Sequence, residues 1–302
     1  MAVGVNQQRK YRVGIIGCGE AARLHLAAYM QMPDVEIVAG CDTVGGRASE
    51  LFAELGIRGA RTDYATHKRM LDDETLALDM VSVCTDVAHH AVPAIYALSR
   101  GVHVLLERPM AATFEEAIEL SKAQKDSGKL LHVAFHYRHG LRPDADCDLW
   151  KIGEKIASGK MGKIESIKMR GGALMSGGGD LLDAAMLAVG YPKPRIVRAN
   201  ATSATVRLEG NVMVEARFAE STAERAFRKI MFVGGKGYDH TTVPFGETVW
   251  VEDTVKAFVD AVRTGSESPV PVLHAVYNQA ILSAIEESRR TGCDVDLLIP
   301  EI

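Results

Sequence analysis

The stretch RVGIIGCGEAARLHL, residues 12–26, decides the fold of the N-terminal half. It begins as a short apolar run, turns through Gly17 and Gly19, and continues with helical spacing past Ala22. Glycines at such a turn permit a tight bend and let backbone N–H groups approach a pyrophosphate, which a helix N-terminus also attracts. The pattern is weak on its own, so its meaning depends on the residues around it.

Short apolar runs alternate with helical patterns up to about residue 138. The runs are rich in Val, Ile and Leu without polar alternation, which is typical of parallel strands buried on both faces. Strands that alternate with helices predict right-handed βαβ units and a doubly wound α/β sheet of the Rossmann type. The runs are YRVGIIG, VEIVAGC, DMVSVCT, HVLLE and LLHVAF, and the predicted helices cover residues 20–32, 45–55, 64–72, 89–100 and 113–127.

The C-terminal half has a different pattern. Two alternating apolar and polar runs, IVRANATSATVRL and NVMVEARFAE, meet at the turn-forming EGN of residues 209–211 and predict a hairpin. Such strands indicate an α+β domain with a mostly antiparallel open sheet. Helices are predicted at 143–158, 180–189, 251–264 and 274–291. The predicted division is a flexible tail at 1–10, a dinucleotide-binding domain at 11–138 and a substrate and oligomerisation domain at 139–302.

Composition narrows the function classes. The 302 residues are 47% hydrophobic and 25% charged. The net charge of −4 and the pI near 6.2 do not indicate the excess of basic residues that is typical of nucleic-acid-binding proteins. The five cysteines are widely spaced and lack a C-x-x-C pair, so neither a disulfide framework nor a zinc site is predicted. We therefore expect a cytoplasmic protein with a small-molecule partner and no membrane segment.

The dinucleotide interpretation gains support from the end of the second strand. Asp42 stands at the spacing expected of a carboxylate that accepts hydrogen bonds from an adenosine ribose. An acid there repels the 2′-phosphate of NADP and therefore favours NAD. The cation of Arg47 has the opposite effect on that phosphate, so NADP remains an alternative cofactor. Polar residues also end later strands. The predicted cofactor-binding residues are Gly17, Cys18, Gly19, Glu20, Ala21, Ala22, Asp42, Arg47, Thr85, Asp86, His90, Glu107 and Arg108.

The stretch HVLLERPM, residues 103–110, ends a buried strand on charged residues. Arg108 stays protonated and cannot serve as a base, but its guanidinium can donate planar hydrogen bonds to an oxygen or a carboxylate. We expect it to position and polarise a substrate. The plainer alternative is a Glu107–Arg108 pair that merely closes the strand end.

These segments together resemble the glucose-fructose oxidoreductase and inositol dehydrogenase (Gfo/Idh/MocA) family. The resemblance rests on RVGIIGCGEAARLHL, VEIVAGCD, GVHVLLERPMAAT, VAFHYR, GGGDLLD and FVGGKG, and it extends over nearly the whole chain. It implies a Rossmann domain that binds NAD or NADP and a mixed-sheet domain that covers the nicotinamide. It also implies oxidation or reduction of sugars, cyclitols and related compounds, and homodimers or homotetramers formed through the C-terminal sheet.

Two positions depart from the family pattern. Arg108 stands where the family has a lysine, and Leu187 stands where a histidine follows Asp183 by four residues on one helix face. Leucine cannot take a proton from a hydroxyl. The predicted catalytic residues are therefore Arg108, His136 and Asp183, of which the resemblance places His136 near the nicotinamide.

Two functions follow from these departures. The first is an NAD(P)-dependent oxidoreductase with non-standard catalytic residues, and the second is a pseudo-dehydrogenase that binds a nucleotide as a sensor or partner protein. The histidines of LLHVAFHYRHG lack a nearby acid or cysteine, so no metal site is predicted. The glycine run 177–179 is read either as an anion-binding nest or as a hinge.

Overall fold

The computed structural model describes residues 9–145, 147–171, 179–218, 228–243 and 250–301, so most of the predicted 1–10 tail lies outside the described residues. The chain divides into two compact units, and the first unit consists of the residues up to Glu107 together with Ala123–His132 and Val255–Pro269. The second unit consists of Arg108–Lys122, Val133–Thr254 and the residues from Val270 onward. The units interleave along the chain, whereas the sequence predicts consecutive domains that meet at residue 138, and that boundary stays a prediction.

Among the described residues the first sheet has six strands, arranged as in a doubly wound fold. They are β1 (Tyr11–Ile16), β2 (Val35–Cys41), β3 (Arg61–Tyr64), β4 (Met80–Val83), β5 (His103–Leu106) and β6 (Leu131–Val133). Their order is β3-β2-β1-β4-β5-β6, with parallel pairing from β3 through β5. The order reverses between β1 and β4, and ligands of such sheets bind at the carboxyl ends of the strands beside this point.

The helices follow the predicted pattern with small shifts at their ends. The predicted helix 143–158 is shorter in the structure, where the α-helix covers Leu149–Ala157 and a separate 3₁₀ helix covers His136–Leu141. The helices are α1 (Glu20–Met30), α2 (Arg47–Glu54), α3 (His67–Leu71), α4 (Ala91–Ser99), α5 (Phe114–Ser127), α6 (Leu149–Ala157), α7 (Gly179–Ala188), α8 (Val251–Thr264) and α9 (Val272–Thr291). No helix within the described ranges is long and apolar enough to cross a membrane.

The second sheet is mostly antiparallel and has seven strands in the part of the chain that the structure describes. They are β7 (Ile164–Arg170), β8 (Pro194–Ala199), β9 (Ser203–Leu208), β10 (Met213–Arg217), β11 (Lys229–Gly234), β12 (Gly237–Thr242) and β13 (Val295–Asp296). Their order is β12-β11-β7-β10-β9-β8-β13. The buried side chains of β7 to β9, which alternate strictly only in β9, join the core of the second unit with residues of α7 and α9.

One detail of the second sheet differs from the sequence expectation. The run IVRANATSATVRL, expected to be one side of a hairpin, is itself two antiparallel strands, β8 and β9. Asn200 causes the turn, because its side-chain oxygen accepts hydrogen bonds from the backbone N–H groups of Thr202 and Ser203. The predicted hairpin at residues 209–211 is confirmed, since β9 and β10 pair antiparallel across it.

Candidate functional site

A cavity of about 450 Å³ opens in the first unit at the carboxyl ends of β1, β2 and β4. Its lining combines the glycine turn after β1, the acid after β2 and the polar residues after β4. Seven of the predicted cofactor residues line it, namely Gly17, Cys18, Gly19, Asp42, Arg47, Thr85 and Asp86. The size falls within the range of small-molecule and cofactor sites.

The glycine turn is shaped for close approach of another group. Gly17 has φ +84°, and an added Cβ would lie 2.8 Å from the backbone of Cys84 and Thr85, so only glycine fits. At Gly19 an added Cβ would meet nothing within 4 Å, which leaves the turn open on that side. The α1 helix begins at Glu20, so its N-terminal N–H groups face the end of the turn.

Asp42 is fixed by the backbone of two loops. One carboxylate oxygen accepts a hydrogen bond from the Cys18 N–H at 2.8 Å, and the other accepts one from the Val44 N–H at 2.8 Å. Each oxygen retains a lone pair for a further donor. The half-exposed guanidinium of Arg47 lies 3.8 Å from Asp42, so a cation and an anion share this end of the cavity.

The remaining predicted cofactor residues do not line this cavity. Ala22 is fully buried in the core, and Glu20 pairs with Arg23 at 3.5 Å on the surface of α1. The buried His90 donates from Nε2 to the carbonyl oxygen of Thr85 at 2.8 Å, so it holds the loop after β4. Ala21, Glu107 and Arg108 are likewise outside the lining of this cavity.

Several lining residues were missed by the sequence analysis. Thr66 caps α3, because its hydroxyl accepts a hydrogen bond from the Arg69 N–H at 3.3 Å. Burial and the neighbouring Lys68 lower the pKa of His67. Most of the missed residues lie at the starts of α3 and α4. They were missed because the sequence signal for the start of a helix does not indicate that a residue faces a ligand. The missed residues include Thr43, Thr66, His67, His89, Val92 and Pro93.

A chain of hydrogen bonds crosses the core of the first unit to Glu107. His25 Nε2 lies 3.0 Å from a Glu107 carboxylate oxygen, and His25 Nδ1 lies 3.1 Å from the Ser82 hydroxyl. The Tyr29 hydroxyl continues the chain at 2.8 Å from Ser82. His25, Ser82 and Tyr29 are at most 1% exposed. The network therefore fixes the carboxylate at the end of β5.

Arg108 belongs to the second unit, where α7 fixes it. Its Nε donates a hydrogen bond of 3.1 Å to Asp180, whose side chain is 1% exposed. The other Asp180 oxygen accepts a hydrogen bond from the Tyr137 N–H at 3.2 Å. The described contacts of these two neighbouring charges therefore include Arg108 with Asp180 and Glu107 with His25.

A second buried ion pair lies on α7. Arg138 donates from Nε and from a terminal nitrogen to the two oxygens of Asp183, each at 2.7 Å, and the Tyr191 hydroxyl donates to Asp183 at 2.6 Å. Burial works to lower the pKa of Arg138, but the charge and hydrogen bonds of Asp183, together with Tyr191, outweigh it and raise that pKa. His274 adjoins the cluster through Arg138. Sequence analysis missed Arg138, Tyr191 and His274 as a group, because their three segments are distant along the chain.

His136 and Leu187 complete the predicted substrate-side positions. His136 is 3% exposed, and its Nδ1 lies 2.9 Å from the Thr254 hydroxyl. Leu187 packs against the hydrophobic core of the second unit. Residues 177 and 178 of the glycine run lie outside the described residues, while Gly179 begins α7. Within the described ranges, no group of three or more His, Cys, Asp or Glu side chains could hold a metal ion.

Comparison with protein families gives a match over the first unit's sheet. Residues 11–135 match the model of an oxidoreductase family with an NAD-binding Rossmann fold. The described strands β1 to β6 fall in this segment. The prediction of a Rossmann sheet followed by a mostly antiparallel sheet is confirmed.

Individual relatives and structures agree with this match. D-glucoside 3-dehydrogenase of Escherichia coli is 30% identical over 215 residues, which are 63% of this chain and 57% of the relative. The NADP⁺-dependent D-xylose 1-dehydrogenase 2 of Haloferax volcanii is 27% identical over 94% of this chain and 99% of its own length. The crystal structure of GenD2 from gentamicin A biosynthesis, in complex with NAD, superposes with a TM-score of 0.83 at 18% identity, covering 99% of each chain.

Proposed function

We propose that this chain, which belongs through residues 11–135 to the Gfo/Idh/MocA oxidoreductase family, is an NAD(P)-dependent oxidoreductase. Its substrate is a sugar, a cyclitol or a related ring metabolite. The observation that supports this most is the cavity that joins the open glycine turn to the fixed carboxylate of Asp42. Relatives that are dehydrogenases of a D-glucoside and of D-xylose agree with the substrate class.

The residues of the cavity fit a dinucleotide. We propose that the N–H groups of Gly19 and Glu20 bind a pyrophosphate, because those of Gly17 and Cys18 already donate to Cys41 and Asp42, and that Asp42 accepts hydrogen bonds from an adenosine ribose. We propose NAD as the preferred cofactor because the Asp42 charge repels a 2′-phosphate, while Arg47 lets NADP bind more weakly. The bound nicotinamide supplies the hydride acceptor or donor.

Arg108 acts in this proposal as a fixed cation. Its pairing with the buried Asp180 holds the guanidinium in one orientation, and the guanidinium remains protonated throughout. A fixed cation stabilises negative charge that develops on a substrate oxygen or nitrogen. This favours reduction of an electron-poor C=N or conjugated C=C bond over oxidation of a simple alcohol, for which the family's lysine and histidine are absent.

His136 is the proposed acid or base. Its Nδ1 is hydrogen-bonded to the Thr254 hydroxyl, which fixes the orientation of an imidazole that can exchange a proton. Asp183 is a weaker candidate, because both of its oxygens are engaged by Arg138. We propose that Asp183 positions Arg138 and does not itself carry a proton.

A second candidate function is a nucleotide-binding sensor or partner protein without turnover. The observation that favours it is Leu187, which is partly buried and packs against the core at the family's histidine position. Under either function the exposed face of the second sheet is proposed to form a homodimer or homotetramer. A cytoplasmic location stays a prediction.

The two functions are separated by cofactor titration followed by a substrate screen in both directions. Calorimetry with NADH and NADPH is expected to give binding of both with NADH tighter, and absence of binding to either contradicts both functions. Turnover of a ring metabolite that falls in Arg108→Ala and Arg108→Lys supports the enzyme with a working cation. Binding of NADH without turnover supports the sensor.

The role of Arg108 has a matched gain-of-function test. One outcome is strong oxidation of simple sugars only in the double variant Leu187→His with Arg108→Lys. That result shows that the wild-type chain does not oxidise alcohols because it lacks the family's catalytic base. Leu187 lies four residues after Asp183 on α7, so the new imidazole projects from the same helix face. Strong sugar oxidation by the unmodified chain contradicts the proposed preference for reduction.

A further inference from the structure

His274 lies at the start of α9, in the second unit, against the buried Arg138–Asp183 pair. Its ring stacks on Tyr191 with 3.8 Å between the ring centroids and an interplanar angle of 2°. The Tyr191 hydroxyl is in turn bonded to Asp183 at 2.6 Å. Three elements distant in sequence therefore hold one imidazole in one orientation.

The contact with Arg138 defines which ring nitrogen of His274 carries the proton. A guanidinium nitrogen of Arg138 lies 3.2 Å from His274 Nδ1. Arginine only donates hydrogen bonds, so Nδ1 must accept and the proton of the neutral ring is on Nε2. Burial, and then the Arg138 charge, lower the pKa of His274 to about 4, so the ring is neutral near neutral pH.

Nε2 of His274 remains available to a ligand. No hydrogen-bond partner of His274 Nε2 is found among the described residues. Nε2 is also absent from the set of fully buried side-chain atoms that lack a partner. The side chain is half-buried, and its Nδ1 edge faces Arg138, so we infer that the exposed part of the ring includes Nε2–H. The arrangement presents a single oriented donor.

Fold stability alone does not account for this arrangement. A buried ion pair often contributes no more to stability than apolar residues of the same volume, because both charges must be desolvated. Here the Arg138–Asp183 pair is held by two hydrogen bonds and used to orient a histidine whose second nitrogen is free. Desolvated charges that set the protonation of an accessible histidine are characteristic of functional sites.

Resting on the proposed function, we infer that His274 is a substrate-binding residue that donates a hydrogen bond from Nε2–H to an uncharged oxygen of the ring metabolite. The chemistry of its surroundings selects that oxygen. Arg138 and Asp183 neutralise each other, and the imidazole itself is neutral, so the group offers a donor without net charge. It therefore suits a hydroxyl or carbonyl of a neutral sugar or cyclitol, and gives no particular advantage to the carboxylate of a sugar acid.

The test uses His274→Phe and His274→Gln in the NAD(H)-loaded protein. Phenylalanine preserves the stacking on Tyr191 but removes both nitrogens, whereas the glutamine amide places a donor near the position of Nε2. The probe is whichever of D-glucose, D-xylose and myo-inositol, or its keto form, the wild-type protein turns over fastest. His240→Phe, at an exposed position on β12, is the matched control.

We expect the KM of the probe to change and kcat to stay nearly constant. His274→Phe raises the KM of the probe about tenfold, changes kcat by less than about twofold and leaves the NADH dissociation constant unchanged, as loss of one hydrogen bond to bound substrate predicts. His274→Gln restores the KM to within about threefold of wild type. Ring-nitrogen NMR of wild type shows His274 as the Nε2–H tautomer, and the probe shifts the Nε2 resonance.

Other results overturn the inference in distinguishable ways. An unchanged KM in His274→Phe, a proton on Nδ1, or an Nε2 resonance that the probe does not shift overturns the role of His274 while leaving the oxidoreductase intact. A kcat and thermal stability that fall together in both variants assign His274 a purely structural role. A wild-type protein that turns over none of the probes removes the proposed sugar substrates and this inference with them.

Discussion

The Arg138 guanidinium binds both carboxylate oxygens of Asp183 at 2.7 Å, and the two side chains are 8% and 0% exposed. Such a pair contributes little net stability when intact, because desolvation of both charges offsets their attraction. Removal of one partner leaves the other charge buried without this ion pair. The pair is therefore better suited to fixing the geometry around Tyr191 and His274 than to strengthening the fold.

Asp183→Ala is expected to lower the free energy of unfolding by about 3–5 kcal/mol, since it leaves the Arg138 charge buried without its partner. Urea denaturation followed by circular dichroism measures the change. Glu209→Ala breaks the exposed pair with Arg195 and serves as control, with an expected loss below about 1 kcal/mol. Equal small losses in both variants would show that Arg138 finds another partner or reaches water.

Ser82→Ala tests the buried chain that ends at Glu107. The substitution leaves the Tyr29 hydroxyl and His25 Nδ1 without this partner, so we expect a loss of about 1–3 kcal/mol in unfolding free energy. Tyr29→Phe combined with Ser82→Ala should cost less than the sum of the single changes, because both remove the same hydrogen bond. Strict additivity in the double-mutant cycle contradicts a connected network.

Asp42→Ala tests the cofactor preference. Loss of the carboxylate is expected to weaken NADH binding by about 10–100-fold, since hydrogen bonds to a charged group contribute about 1.5–3 kcal/mol. NADPH binding should weaken much less, because the repulsion of its 2′-phosphate is also removed. Calorimetric titration of both cofactors gives the comparison. Arg47→Ala, as the complementary variant, should impair NADPH binding more than NADH binding.

The low pKa values of two histidines predict acid sensitivity. Burial is the main cause that lowers the pKa of His274 and of His139 from 6.5 to about 4. The unfolded chain therefore binds protons that the folded chain excludes, so stability is fully present above about pH 6.5 and falls as the pH decreases toward 4. Urea midpoints measured across this interval should fall, and His274→Phe should flatten the decrease. An unchanged slope in that variant contradicts a neutral, partly buried His274.

The Rossmann sheet could be predicted because its strands differ sharply from their surroundings. The Val- and Ile-rich runs of β1, β2, β4 and β5 leave few alternatives once the glycine turn sets the first βα unit. The edge strand β3, with sequence RTDY, was missed because an edge position tolerates polar residues. β13 has only two residues and depends on pairing with β8, which no local pattern indicates.

The site could be predicted only in part, for a similar reason. Asp42 and the glycine turn share one local motif, and the structure brings them into contact through the Cys18 N–H. His274 reaches Arg138 across 136 positions of sequence, so a single sequence gives no signal for the contact. The sequence indicates that Arg108 places a positive charge after β5. Its partner Asp180 could be identified only from the packing of α7.

The central claim is hydride transfer between a nicotinamide and a ring metabolite, and a stoichiometric turnover measurement tests it most directly. The wild-type protein is mixed at equal concentration with NAD⁺ or NADH and with D-glucose, D-xylose, myo-inositol or their keto or imino forms, and the nicotinamide absorbance is recorded. The account predicts conversion of the bound cofactor with at least one of these compounds and a much slower conversion in Arg108→Ala. Tight NADH binding with no conversion by any of them would contradict the account.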